Sequence, residues 1–170
     1  MVTFWQQKNH SGGKIMLENI TLTEKKEFNS RKEISNLLGG DTRKGITLSS
    51  KVCAILLFRN EDEIYADYFY PNGTRDYFMY TGIGRKGHQD SLKNNMYKLN
   101  IDVLSHKRDN NSLIVFDKRD SNYIFVGEYE LTETHQNIQP DDNNNLRRVF
   151  VFHLKKISDI SELKLRKNNV

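Results

Sequence analysis

Short apolar and aromatic segments separated by polar turns run through most of this chain, and they constrain its fold more than any other feature. The longest apolar run, at positions 52–58, predicts a strand that is buried on both faces. Aromatic-rich segments flank a Pro-Asn-Gly turn at 64–70 and 76–80, and further β-type segments lie at 112–116, 122–131 and 147–154. At least six such strands predict a mainly β fold of the α+β type, with a mainly antiparallel, twisted and barrel-like sheet.

Helical sequence is confined to one or two short segments. In the first, Ser30 is an N-cap residue with Glu33 three positions later, an apolar face follows, and Gly39 ends the helix. The second segment, 96–106, has mixed apolar spacing that leaves its secondary structure open.

The length of 170 residues and the 36% hydrophobic content fit a single domain with its own core. We predict an N-terminal extension at 1–29, the domain itself at 30–156, and a charged tail or linker at 157–170 that leads toward an effector domain missing from this chain. No apolar run approaches membrane-spanning length, and the N-terminus lacks the apolar region of a signal peptide. We therefore expect a cytoplasmic protein without membrane contacts.

Positive charge is concentrated in the middle of the sequence. The chain carries a net charge of +4, and the segment 85–108 contains six cationic residues against two acids. This local excess favours a polyanionic partner, and an ordinary solvated surface is the alternative reading.

Several catalytic and cofactor sites are excluded by spacing. The glycines at 82, 84 and 87 give G-x-G-x-x-G, but no strand–helix alternation surrounds them and no G-K-[ST] follows. The five histidines lack short ligand spacing, and Cys53 is the single cysteine. We expect neither a cofactor nor a metal.

A loose nuclease-like pattern remains open as an alternative. Asp141 follows a proline, and Glu162 and Lys164 come some twenty residues later. Such a set of an acid and E-x-K could hold a divalent metal and activate water if the residues met on adjacent strands.

Tyrosines and acids are interleaved immediately before the basic loop. Aromatic faces stack on bases, a carboxylate accepts from an exocyclic amine such as cytosine N4, and cations hold phosphates. Some of these tyrosines are also expected to fill strand faces as core residues. The residues concerned are Tyr65, Asp67, Tyr68, Tyr70, Asp76, Tyr77 and Tyr80.

The order of these motifs resembles the SRA (YDG) domain. "YADY", "DYFMYTGIGRKGHQ" and "KNN" are similar to that family's tyrosine- and acid-bearing strand, its Y-T-G, and its glycine-rich loop with a later amide. The bacterial version, found N-terminal to HNH nucleases in modification-dependent restriction enzymes, matches more widely. Its helix, strand pair and closing hairpin are similar to "SRKEISNLLGGDTRKGIT", "SLIVFDKRDSNYIFVGEYE" and "PDDNNNLRRVFVFHL". The resemblance runs over residues 30–154 and implies a PUA-related sheet.

The resemblance also implies a pocket that holds a modified cytosine flipped out of duplex DNA. The tyrosine of Y-T-G and the bend that follows it correspond to Tyr80, Thr81 and Gly82. A second aromatic wall would come from Tyr68 or Tyr65, and the acid that pairs with the cytosine edge would be Asp67, with Asp76 as the competing choice.

Contacts to the DNA backbone and groove are implied for the loop that follows. Phosphate contacts would come from Arg85, Lys86 and Lys93, and the groove-side loop would include His88, Gln89, Asn94 and Asn95. His88 departs from the family pattern, which commonly has an acid at this position.

The function implied is a binding module, not an enzyme. It would read 5-methyl- or 5-hydroxymethylcytosine by base flipping as the recognition domain of a modification-dependent restriction endonuclease. We expect an HNH nuclease in a missing C-terminal part and a full-length protein able to dimerise. The alternatives are that the chain is itself the metal-dependent nuclease described above, or that it is an RNA-binding PUA-like domain.

Overall fold

The computed structural model describes residues 2–8, 14–60 and 64–167, with side chains from residue 19 onward. Within these residues the chain forms eleven strands and two short helices. In chain order they are β1 (Val2–Lys8), β2 (Lys14–Thr23), β3 (Glu27–Phe28), α1 (Arg31–Leu38), β4 (Ile46–Leu48), β5 (Ala54–Arg59), β6 (Tyr68–Tyr70), β7 (Tyr77–Thr81), α2 (Tyr97–Leu104), β8 (Ser112–Arg119), β9 (Asn122–Pro140), β10 (Leu146–Ser158) and β11 (Ile160–Lys164).

The larger of two sheets has eight strands. Seven follow the order β4-β5-β8-β9-β10-β7-β6, and β3 pairs with β9. All pairings are antiparallel except β5 with β8, which is parallel. The predicted mainly β class with two short helices is confirmed, and the twisted sheet is open and not a closed barrel.

The core lies on both faces of this sheet, as the strand β5 shows. Ala54, Leu56 and Phe58 belong to one buried cluster, and the alternate residues Ile55 and Leu57 belong to the other. All five side chains are buried. A continuous apolar run is the pattern expected of a strand covered on both sides, so the predicted doubly buried strand is confirmed, with its bounds at Ala54–Arg59 instead of 52–58.

The first helix begins and ends where its capping residues predict. The Ser30 hydroxyl accepts from the Glu33 N–H at 3.2 Å, and the Glu33 carboxylate accepts from the Asn29 N–H at 2.7 Å. Gly39 ends the helix with a φ of 75°, which only glycine adopts without strain. The open segment after 96 forms the helix α2. Neither helix of the described chain is long and apolar enough to cross a membrane.

A second sheet, β1-β2-β11, joins the two ends of the described chain. Residues 157–170 were expected to be a charged tail or linker. Instead β10 runs to residue 158, and β11 pairs with β2 and buries Ser161 and Leu163. The alternation I-S-E-L-K has the period of two that places every second side chain inward, in spite of its charged composition. The proposed division into domains itself remains a prediction.

Two further segments differ from expectation. Of the aromatic segment 64–70, only the last three residues form a strand. The amide-rich segment 136–145 lies outside the strands predicted from sequence, but β9 continues to Pro140, so β9 and β10 form a long hairpin. Its side chains are mostly exposed, which explains why hydrophobic periodicity did not reveal it.

Candidate functional site

A pocket of about 490 Å³ opens where β5 and β7 end. Its walls come from residues in the segments 43–45, 58–60, 65–67, 80–86 and 94–96, together with Asp142. β5 and β7 are four places apart in the sheet, yet the Tyr80 hydroxyl on β7 reaches the Phe58 carbonyl on β5. The curvature of the sheet therefore creates the pocket.

Tyr80 forms a rigid inner wall of this pocket. Its side chain is 2% exposed, and its Oη lies 2.9 Å from the Gly45 carbonyl and 3.2 Å from the Phe58 carbonyl. Its ring lies 5.1 Å from that of Phe78. Burial, followed by the nearby Asp67, raises the pKa of Tyr80 well above its usual value. Tyr80 is thus a neutral, fixed surface at the base of the pocket.

Of the two acids considered from sequence, the structure brings Asp67 into the pocket. Its Oδ1 accepts from the Thr81 N–H at 2.7 Å, which fixes the carboxylate beside the Y-T-G bend. Asp76 is exposed in the loop before β7, outside the residues that line this pocket, and its carbonyl accepts from the Lys156 N–H. Asp76 therefore lies outside this pocket, and the assignment of Asp67 as the pocket acid stays a prediction.

Of the two tyrosines considered for the second wall, Tyr65 lines the pocket and Tyr68 does not. Tyr68 is 49% exposed on β6, because alternation along the strand turns Phe69 inward instead, with its ring 4.5 Å from that of Phe78. Tyr65 is half-buried, and burial raises the pKa of its hydroxyl, while Arg147 nearby lowers it to a smaller extent.

Arg147 is a buried cation behind this wall that sequence reasoning missed. It is 1% exposed, and its Nη1 donates to the Gly84 carbonyl. Its Nε and Nη2 are buried and have no hydrogen-bond partner within the described ranges. Its position on β10, in a strand that otherwise alternates apolar residues inward, gave no sequence signal of a buried charge.

Buried amides hold the loop that follows Y-T-G from within. Gln89 is 0% exposed, and its Nε2 donates to the Gly82 carbonyl at 2.5 Å while its Oε1 accepts from the Phe150 N–H at 2.9 Å. Asn100, also 0% exposed, accepts from the Ile83 N–H at 2.8 Å and donates to the Ile83 carbonyl at 2.9 Å. Gln89 was predicted as a groove contact, but its burial makes it a structural clamp.

The close approach of Gln89 and Asn100 leaves no room for a side chain at Gly82. A Cβ atom at this position would lie 2.7 Å from both Asn100 Oδ1 and Gln89 Oε1. Asn94, also predicted as a DNA contact, holds the same loop: its Nδ2 donates to the Lys86 and His88 carbonyls, and its Oδ1 accepts from the Met96 N–H.

His88 fastens the outer part of the loop to β10. Its Nδ1 accepts from the Arg148 N–H at 3.0 Å, which requires the tautomer protonated at Nε2. Arg148 also pairs with Asp90 at 2.8 Å. A neutral imidazole thus provides the kind of acceptor that an acid would provide at this position.

Cations surround the mouth of the pocket. Arg85 and Lys86 are exposed and line it, as does Asn95, and Arg85 pairs with Asp142 at 2.9 Å. Lys93 is exposed but lies outside the pocket-lining residues.

Two further cations of the rim, Arg43 and Lys44, were missed from the sequence. The Asp41 carboxylate accepts from their N–H groups at 2.7 and 3.0 Å, and these hydrogen bonds lower the pKa of Asp41. Arg31 donates to the carbonyls of Asp41 and Lys44, which fixes the same loop to α1. The sequence signal that could have identified these two cations is the polar connection "DTRKG" between α1 and β4.

The nuclease-like set is not brought together. Asp141 accepts from the N–H groups of Asn143 and Asn145 in its own turn, and these bonds lower its pKa. Glu162 and Lys164 lie on β11, at the other end of β10, which separates them from Asp141 by about 40 Å of strand. Across residues 19–60 and 64–167, no group of three or more His, Cys, Asp or Glu side chains is arranged to hold a metal ion.

Solved structures with this fold include three informative examples. The sulfur-binding and SRA domains of ScoMcrA, complexed with phosphorothioated DNA, match with a TM-score of 0.63 and 19% identity over 81% of this chain and 40% of that one. The SUVH5 SRA complex with hemi-methylated CG DNA has a TM-score of 0.59 and 21% identity over 80% and 89%. The DNA modification-dependent restriction endonuclease AspBHI has a TM-score of 0.58 and 11% identity over 94% and 75%.

These likenesses show the fold, and the chain spans less than half the length of the ScoMcrA chains it matches. No curated protein matches this sequence. The family described as "ScoMcrA-like, SRA domain" matches residues 24–167, which is most of the sequence. The chain therefore belongs to the ScoMcrA-like SRA domain family.

Proposed function

We propose that this chain reads a modified cytosine in double-stranded DNA by accepting the base, flipped out of the duplex, into the pocket. The observation that carries the proposal is the combination of aromatic walls, a fixed carboxylate and a cationic rim around one cavity of about 490 Å³. That volume lies within the usual range of small-molecule pockets. Flipping costs a few kcal/mol, which stacking and hydrogen bonds to the base edge must offset.

Tyr65, Tyr80 and Asp67 would contact the base. Tyr65 is the more accessible ring and supplies the stacking face, while Tyr80 closes the base of the pocket. The Thr81 N–H fixes the Asp67 carboxylate at the pocket, and a carboxylate is the kind of acceptor that an exocyclic amine such as cytosine N4 requires.

The rim would hold the phosphates on either side of the flipped nucleotide. Arg43, Lys44, Arg85 and Lys86 lie around the mouth of the pocket. Such contacts do not read sequence, but they fix the position of the duplex and make affinity depend on salt.

The modification is proposed to be 5-methyl- or 5-hydroxymethylcytosine. SUVH5 SRA was solved with methylated and hydroxymethylated CG DNA, and ScoMcrA with phosphorothioated DNA. A phosphorothioate changes the backbone and leaves the base unaltered, so it belongs in the test as a separate arm.

We further propose that the chain serves as the recognition domain of a modification-dependent restriction endonuclease. ScoMcrA and AspBHI are both such enzymes. Cleavage would then depend on a nuclease domain of HNH type beyond this chain, in a protein that is able to dimerise.

The decisive experiment is a binding titration with duplexes that differ at one central cytosine. The base is unmodified, 5-methylated, 5-hydroxymethylated or glucosylated, and a fifth duplex carries one phosphorothioate linkage. We expect at least tenfold tighter binding to the 5-methyl or 5-hydroxymethyl duplex. Tyr65→Ala should abolish that preference, because stacking on an aromatic ring is worth about 1–3 kcal/mol per base.

Tyr68→Ala is the matched control, since Tyr68 lies three residues away and outside the pocket. It should leave the preference intact. Equal affinity for all four cytosine forms in the wild-type chain would refute the proposal. A preference for the phosphorothioate duplex alone would mean that the backbone is read, and stronger competition by structured RNA would favour RNA binding.

A further inference from the structure

Two histidines meet on the outer face of the β9–β10 hairpin. His135 lies on β9 and His153 on β10, and Nε2 of His153 is 2.8 Å from Nδ1 of His135. Their ring centroids are 4.9 Å apart. The contact is exposed to solvent, so neither the core nor the pocket accounts for it.

The strand alternation places this pair on the face of β10 opposite to Phe152. Phe152 is buried and lies opposite Tyr80 of β7, whereas the next residue, His153, lies opposite Met79 and faces outward. Glu133 lies directly opposite His153 in the β9–β10 register, two residues from His135, and so shares the same face. Two imidazoles and a carboxylate therefore project from neighbouring positions on one surface.

The separation of the two ring nitrogens matches the span of one metal ion. Imidazole nitrogens bind zinc at about 2.0–2.1 Å, so two ligands at angles of 90–109° stand about 2.8–3.4 Å apart. The observed 2.8 Å falls at the short end of that range. Only one of the two facing nitrogens carries the proton of the present hydrogen bond, and a metal ion would displace that proton.

We propose that His135 and His153 form a binding site for a divalent transition-metal ion of the zinc or nickel class. Imidazole suits these ions, whereas magnesium and calcium prefer oxygen ligands. Among the described residues, no third His, Cys, Asp or Glu completes the set in place. Water fills the remaining positions, and the carboxylate of Glu133 supplies negative charge on the same face.

Metal binding at this site would link β9 to β10 across the hairpin. Because β10 carries Arg147 and Arg148, which hold the pocket loop, the ion would stiffen the frame behind the proposed base pocket without entering it. The proposal does not depend on base recognition, since neither histidine lines the pocket.

The test is isothermal titration of the tag-free chain with ZnCl₂, NiCl₂ and, separately, MgCl₂. We expect one saturable zinc or nickel site per chain and none for magnesium. His135→Ala and His153→Ala should each weaken binding at least tenfold. At a hundredfold excess over Kd, zinc should raise the Tm of the wild-type chain by roughly 5–10 °C, and this rise should be lost in both variants.

His88→Ala serves as the matched control, because this exposed histidine lies outside the pair and should leave the metal affinity unchanged. Circular dichroism without metal establishes that every variant is folded. Absence of saturable binding in the wild-type chain, or full binding in the double variant His135→Ala/His153→Ala, would overturn the proposal. Loss of binding in His88→Ala alone would assign the ion to the loop instead.

Discussion

The amides beneath the pocket and the cations around its mouth are both polar, but the amides bond to the protein backbone and the cations extend toward solvent. Gln89 and Asn100 are fully buried and bond to the backbone of residues 82–84 and 150. Lys86 and Arg43 are exposed at the rim and extend toward solvent. The inner group therefore determines the shape of the pocket, and the outer group is available to a ligand. Substitutions in the first should lower stability, and substitutions in the second should lower affinity.

Removal of an inner amide should have the largest effect. Asn100→Ala leaves the N–H and carbonyl of Ile83 buried without partners, so we expect the free energy of unfolding to fall by about 2–4 kcal/mol. Urea denaturation followed by circular dichroism measures the change. Asn95→Ala is the control, because Asn95 is exposed at the pocket, and it should stay within about 0.5 kcal/mol of wild type. Equal losses in the two variants would erase the distinction between inner and outer groups.

Local patterns were sufficient for much of the fold. The apolar run of β5 and the Ser30–Glu33–Gly39 signals of α1 depend on neighbouring residues, and both were predicted correctly. β11 was missed because its alternation is short and charged, and its strand character depends on pairing with β2, some 140 residues earlier. Pairing between distant segments is a tertiary effect that a local pattern does not encode.

The candidate site was predictable in its centre and less so at its edges. Tyr80 and Asp67 were identified from the motif order and do line the pocket. Tyr68 and Gln89 lie outside the pocket lining, because the face of a strand and the direction of a loop side chain depend on register and burial. An amide side chain is the same residue type in the sequence whether it bonds to the backbone or to a ligand, so residue type alone does not predict which of the two roles it has.

Tyr80, which is buried in the inner wall of the pocket, should have an effect of intermediate size on the stability of the chain at alkaline pH. The pKa of Tyr80 is raised by burial, so the folded state keeps its phenolic proton where the unfolded state loses it. The stabilisation is complete below pH 10, the ordinary tyrosine value, and stability falls as pH rises above it, by up to about 1.4 kcal/mol per pH unit for one group. Urea denaturation at pH 8, 10 and 11 measures the slope.

Tyr80→Phe should have a shallower alkaline slope than wild type, although it loses the hydrogen-bonded hydroxyl at neutral pH. Lys86→Ala, from the outer group, should keep the wild-type slope. An unchanged slope in Tyr80→Phe would mean that other tyrosines dominate, of which Tyr129 is the first to examine because burial raises its pKa as well.

The smallest effect should come from the rim. Lys86→Ala should weaken binding to every duplex by the same factor and lower the slope of log affinity against log salt by about 0.9, because one phosphate contact is lost. Its stability should change by less than about 0.5 kcal/mol. Lys93→Ala is the matched control: this lysine is equally exposed but lies outside the pocket lining, so its salt slope should stay closer to wild type. Fluorescence anisotropy at four salt concentrations separates the two. If Lys86→Ala instead lost affinity only for the duplex with one modified base, Lys86 would read the base. The division between a structural interior and a phosphate-binding rim would then not hold at this residue.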